Sequence, residues 1–196
     1  MGGHDRKKLI DLALAPEPTI ILAEDEAKLY LQASTMAVWT PRGQPFVVRL
    51  DPGRASTAFY GTLNVHTGQE IVTQAEHLTA QTTVVHLQAL LDAYPRSNIL
   101  VLWDKAPWHR GAAIRAFLAA HPRLSLLTFP TAAPDLNPQE HVWRATRRAV
   151  AHNHTQRRLP DLAARFIHYL QHTTFVSSFL HKYMYPVCAD FIGSFY

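Results

Sequence analysis

Cysteine is almost missing from these 196 residues: Cys188 stands alone. An intramolecular disulfide and a multi-cysteine zinc centre are therefore both excluded, and the chain suits a reducing compartment. Long apolar runs are also missing. Stretches such as Ile99–Trp103, "ILVLW", are far shorter than a membrane span needs. The start, "MGGHDRKKLI", has charge but no apolar core behind it, so it does not read as a secretory signal. Internal repeats and low-complexity segments are absent too. A soluble intracellular protein is expected. The charge excess is mild, 19 Lys and Arg against 15 Asp and Glu, which permits a polyanionic partner without requiring one.

What is present is enough apolar residue, 47% of the chain, to build one domain with a real core. Thr19–Ala23, "TIILA", reads as a buried strand leading into "EDE". "FVVRL" over 46–50 reads as a second strand closed by the turn signal "DPG". Strands over 58–65 and 70–74 follow, joined by "HTGQ", as antiparallel neighbours. The period then changes. Val84, Leu87, Leu91 and Tyr94 recur on one helix face, and Pro95 ends the helix. "NILVLW" lacks polar alternation, as a strand buried on both faces does. A helix with Ile114, Phe117 and Leu118 inward comes next, then the strand "LSLLTF". Two further helices are expected near 138–152 and 160–171, the second carrying Leu162, Phe166, Ile167 and Leu170. The expected fold is α/β: a mixed sheet, antiparallel strands first and parallel strands after, flanked by helices. Residues 1–17 form an N-terminal extension, 18–171 the domain, and 172–196 an aromatic-rich tail without assigned packing.

The acids fall at telling places. Asp25 follows the first strand, and Asp104 closes the strand "ILVLW". Crossover logic makes those strands parallel neighbours, which brings the two carboxylates together. Such a pair repels unless a cation lies between them, and oxygen ligands of this kind suit Mg²⁺ or Mn²⁺. A third acid lies in "PDLNPQEHVWRATRRAV". Asn137 suits a helix N-cap, Pro138 the first helical position and Glu140 the third. Glu140 is then either a capping-box carboxylate or a further metal ligand. Arg144, Arg147 and Arg148 share its helical face; they are either a solvated surface or a path for a phosphate backbone. His109, five residues after Asp104, either orients a ligand or touches phosphate, or simply starts the next helix. His152 and His154 read as a solvated helix end. Trp103, Trp108 and Trp143 are expected in the core, with Trp108 also suited to stacking.

"LVLWDKAPWH" followed by "TFPTAAPDLNPQEHVWRATRRAV" resembles the catalytic domain of mariner-superfamily insertion-sequence transposases, with their DDE triad. The 35 residues between Asp104 and Glu140 match the family's usual gap. "ILAEDEAKLYL" looks like the segment of the first acid, assigned by position to Asp25 rather than Glu24 or Glu26, and "WTPRGQ" from Trp39 looks like the family's Trp and Gly loop. The resemblance covers roughly residues 18–150. It implies an RNase H-like fold and two Mg²⁺ or Mn²⁺ ions. Asp25 and Asp104 would hold the ions, with Asp104 bridging and Glu140 completing one of them. The implied reactions are hydrolysis at a transposon end and strand transfer into target DNA. Lys105, standing where the family commonly has Asn, would contact DNA with His109, Arg144, Arg147 and Arg148. Asp135 also matches the motif, with a loop-fixing role. A homodimer on DNA and a bacterial cytoplasmic, nucleoid-associated setting follow by the same analogy. Seventeen residues before the first strand are too few for the family's helix-turn-helix domain, so a catalytic fragment, the second product of a split frame, or a remnant is expected. Two rivals remain: an inactive, transposase-derived DNA-binding or assembly protein, and a nuclease of RNA–DNA hybrids or branched DNA.

Overall fold

The computed structural model describes residues 18–45, 47–48, 54–129, 137–179 and 182. Five strands form one sheet: β1 Thr19–Tyr30, β2 Ser56–Asn64, β3 Glu70–Ala75, β4 Asn98–Trp103 and β5 Leu124–Thr128, in the order β3-β2-β1-β4-β5. The pairs β1–β2 and β2–β3 are antiparallel; β1–β4 and β4–β5 are parallel. This is the mixed sheet expected from the sequence. The helices are α1 Ala80–Ala93, α2 Ala112–Ala120, α3 Gln139–Thr146 and α4 Leu159–His172. A turn of 3-10 helix, Pro107–His109, precedes α2, and a π-type turn, Arg147–Ala151, continues α3. No described helix is long and apolar enough to cross a membrane.

Alternation along the strands assigns the faces. Ala27 and Leu29 of β1, with Phe59 and Leu63 of β2, pack against Val142 and Trp143 of α3 and Leu162, Phe166 and Leu170 of α4. On the other face Leu22, Ile99, Val101 and Trp103 meet Leu87, Leu90 and Leu91 of α1 and Ile114 of α2. The expected helix stripes are therefore the ones buried. α1 opens on a reciprocal capping pair: the Thr79 hydroxyl accepts the Thr82 N–H, and the Thr82 hydroxyl accepts the Thr79 N–H. Beyond α4 the chain stays on the body. Phe175 joins the first cluster, Phe179 packs with Leu100 and Leu102, and the Phe175 N–H bonds the Gly68 carbonyl at 2.8 Å.

Three expectations change. β1 does not stop at Ala23. It runs to Tyr30 because β2 pairs with it through Tyr30↔Ser56, so "EDE" lies within the strand. Of the strand expected over 46–50, the two described residues, Val47 and Val48, carry no strand, and 46, 49 and 50 lie outside the described residues. His152 and His154 are not a solvated helix end. His154 is buried, and His152 Nδ1 lies 2.7 Å from the Ser34 hydroxyl. Asn153, at φ +50°, bonds both the N–H and the carbonyl of Met36, tying down the start of the β1–β2 connection.

His86 is fully buried between the hydroxyls of Thr62 and Thr73, at 2.7 and 2.8 Å. Burial, helped by the charge of His109, pulls its imidazole down to about 3. The folded value lies below the unfolded one, so the contribution of neutral His86 is whole above roughly pH 6.5. It is lost as pH falls toward 3. In thermal unfolding, the stability gap between the wild type and His86→Gln is therefore expected to narrow from pH 7 to pH 4. An unchanged gap would contradict this.

Candidate active site

The β1–β4 parallel pairing ends at Ala23↔Leu102. Asp25 and Asp104 are each two residues further on, so the two strands deliver them side by side, where the ladder has opened. Asp104 has its Oδ1 3.1 Å from His109 Nδ1, and Asp25 takes the face of Ala27 and Leu29. α3 lies over that face and contributes Glu140. Asp25 is half-buried, and its carboxyl is pushed up to about 7, first by burial, then by the negative charges of Glu140, Glu26 and Asp104. Asp25 is thus within electrostatic reach of both Asp104 and Glu140.

Asp104 lies just past β4, and its side chain is 56% exposed. Its Oδ1 accepts the Ala106 N–H at 2.7 Å, an Asx-type turn that swings the loop toward Lys105, an exposed residue. The α3 end is organised by Asn137. Its Oδ1 accepts the Gln139 N–H at 3.0 Å, and its Nδ2 donates to the Glu24 carbonyl at 3.0 Å. Asn137 thus satisfies the helix start. Arg144 and Arg148 are exposed on the same helix and Arg147 is half-buried. Asp135 lies outside the described residues.

A second cluster occupies the opposite face, because alternation sends Glu24 and Glu26 there. His109 Nε2 donates to Glu26 Oε1 at 2.7 Å, and the Trp108 indole N–H donates to the same oxygen. His109 Nδ1 faces the Asp104 carbonyl at 3.2 Å and Asp104 Oδ1 at 3.1 Å. The ring stacks on Trp103 at 4.1 Å and 9°. Burial depresses the His109 imidazole, but the bond and charge of Glu26 and the Asp104 contacts outweigh it, so the net shift is upward. Both ring nitrogens thus face oxygen atoms of acidic residues. Glu24 is 1% exposed, and neither of its oxygens has a hydrogen-bond partner. Its Oε2 is 3.4 Å from His109 Nε2, whose proton is directed at Glu26. Burial, then Glu26, Asp25, Asp104 and Glu70, raise its carboxyl well above the ordinary range. Ligand atoms of Glu24, Glu26 and His109 lie within 4.8 Å of one another. They could hold an ion only after His109 gives up its Nε2 proton.

His109 is 6% exposed, so of its alternatives the structure puts it against Asp104 and Glu26 and screens it from a surface phosphate. Trp103 and Trp143 are core, and Trp108 is engaged with Glu26. The role of Glu26 was missed from sequence, although the period of two in "EDE" places Glu24 and Glu26 together, opposite Asp25.

Residues 21–163, most of the chain, match the family model described as DDE superfamily endonuclease. The chain belongs to that family. Among curated relatives, this DDE endonuclease-family chain is 24% identical over 166 residues to the "Insertion element IS630 uncharacterized 39 kDa protein" of Shigella sonnei. That match takes in 84% of this chain and 48% of the relative. Its fold is similar to that of Mos1 transposase in a paired-end complex with the left transposon end, at TM-score 0.65 and 15% identity, over 95% of this chain and 59% of that one. It is also similar to the Mos1 catalytic domain solved with raltegravir and Mn, at TM-score 0.57 and 16% identity, over 89% and 82% of the two chains. The chain thus spans about half the length of the IS630 relative. What the family match gives this chain is a DDE superfamily endonuclease domain over residues 21–163.

Proposed function

We propose that the protein is the catalytic part of a DNA transposase, cutting DNA at transposon ends and joining the ends to target DNA with divalent metal. One observation supports this reading: Asp25 and Asp104 each follow the last β1–β4 pair by two residues, and the charges of Glu140 and Asp104 both bear on the Asp25 carboxyl. Asp25, Asp104 and Glu140 are the catalytic acids and would hold two Mg²⁺ or Mn²⁺ ions. The bound metal supplies activation of the attacking oxygen and charge relief on the leaving oxygen. The chain's own part is to fix the three carboxylates. Lys105, Arg144, Arg147 and Arg148 lead the phosphate backbone past them. Reading of the transposon end by a separate helix-turn-helix unit, and pairing of two copies on DNA, belong to the same reading, as do 18–171 as the catalytic unit and 1–17 and 172–196 as its flanks.

Calorimetry with Mn²⁺ tests it against the inactive alternative. Saturable binding is expected in the wild type, with a matching rise in unfolding temperature, and loss of both in Asp25→Asn. Binding that survives in Asp25→Asn, or no binding in the wild type, would contradict the assignment.

A further inference from the structure

We propose that Gly61, Glu70 and Gln139 form a seat that fixes the position of Glu140, so that they act as positioning residues for the cleavage reaction; this rests on the reading of Glu140 as a catalytic acid. Gly61 lies in the middle of β2, paired with Asp25 on one side and Val72 on the other. A Cβ there would lie 2.3 Å from Trp143 Cη2, 2.5 Å from Gln139 Nε2 and 2.5 Å from Glu70 Oε1. Every one of these distances is below any real contact. The first turns of α3 therefore rest on bare backbone, directly beside Asp25. Glycine is required here for space.

The polar pair beside it locks the helix in rotation. Gln139 is fully buried, and its Nε2 donates to Glu70 Oε1 at 2.5 Å. Glu70 begins β3 and is 8% exposed. Asn137 holds the same turn to the Glu24 carbonyl of β1. The start of α3 is thus tied to both outer and central strands, and Glu140 is the residue immediately after Gln139. Turning or lifting Gln139 moves Glu140 off Asp25 by the same motion. A helix cannot shift one of two successive residues alone.

The test measures single-turnover, Mn²⁺-dependent DNA cleavage at saturating DNA, alongside DNA affinity and circular dichroism. Gly61→Ala must lift α3 by about 1 Å, and a misplacement of that size costs roughly 100-fold in rate. Gly61→Ala and Gln139→Leu are both expected to cleave about 100-fold more slowly, with DNA affinity unchanged. Glu70→Gln keeps an acceptor for Gln139 and is expected to cleave within about threefold of the wild type, whereas Glu70→Ala falls with the other two. A purely structural role would not separate rate from DNA affinity, nor spare Glu70→Gln. Should Gly61→Ala unfold, Gln139→Leu, of similar volume, decides alone. Wild-type rates in Gln139→Leu overturn the proposal. Glu140→Gln is the reference. Cleavage surviving in it overturns the functional reading and this inference together; cleavage lost in it but kept in Gln139→Leu overturns this inference only.

Discussion

Asp104→Asn is expected to abolish Mn²⁺-dependent nicking and joining of DNA while the protein stays folded. The substitution keeps the side chain's shape. An Asn Oδ1 still accepts the Ala106 N–H that Asp104 takes at 2.7 Å, so the loop after β4 keeps its course. The side chain is more than half exposed, so little stability rides on its charge. On the proposed reading, what is lost is one anionic ligand for the divalent metal. Metal assistance in such reactions is worth several kcal/mol, and each 1.36 kcal/mol is tenfold in rate, so a fall of about 1000-fold or more is expected. Nicking of supercoiled DNA and thermal unfolding, measured on the same preparation, check both halves. Cleavage within tenfold of the wild type would remove Asp104 from the chemistry.

His109→Ala is expected to be the most destabilising single change near the site. The His109 ring lies between Glu26, Glu24 and Asp104, and its side chain is 2% exposed. Removing one partner of a buried ion pair costs about 3–5 kcal/mol, because the remaining charge stays buried. The stack on Trp103 is lost as well. Cleavage should fall by about 10–100-fold even where the protein remains folded, as it does when a residue orienting a metal ligand is removed. Adding Glu26→Gln to His109→Ala should recover part of the stability, since the stranded charge is then gone. The two changes would combine non-additively. Urea unfolding of the two single variants and the double variant measures this. Simple additivity would show that Glu26 and His109 are not a coupled pair.

Much of this site was legible because the chemistry sits on elements with clean periods. "ILVLW" is a doubly buried strand, and a carboxylate at its end has few places to go. The crossover through α1 carries that strand past β3 and β2 to the far side of β1. Helix spacing in α1 and α4 singled out Leu87, Leu91, Leu162 and Phe166, all buried. Other features depend on pairings distant in sequence. β1 was taken too short because "EDE" is polar, whereas nine residue pairs with β2 extend it to Tyr30. Glu24 and Glu26 are tolerated inside because His109, more than 80 residues away, comes to meet them. The seat at Gly61 was invisible for the same reason: a single glycine in "AFYGTLNV" has no periodic signature, and its need is set by Trp143 and Gln139 across the domain. The anchoring of His152 and Asn153 has no signal in the sequence because their partner segment, 34–36, lies in an irregular connection.

The most direct measurement is a crystal structure of the protein soaked in Mn²⁺, with anomalous scattering used to locate the ions. Density between the carboxylates of Asp25, Asp104 and Glu140 is the expected result. Density at Glu24, Glu26 and His109 instead, on the opposite face of the sheet, would contradict the assignment of the catalytic acids.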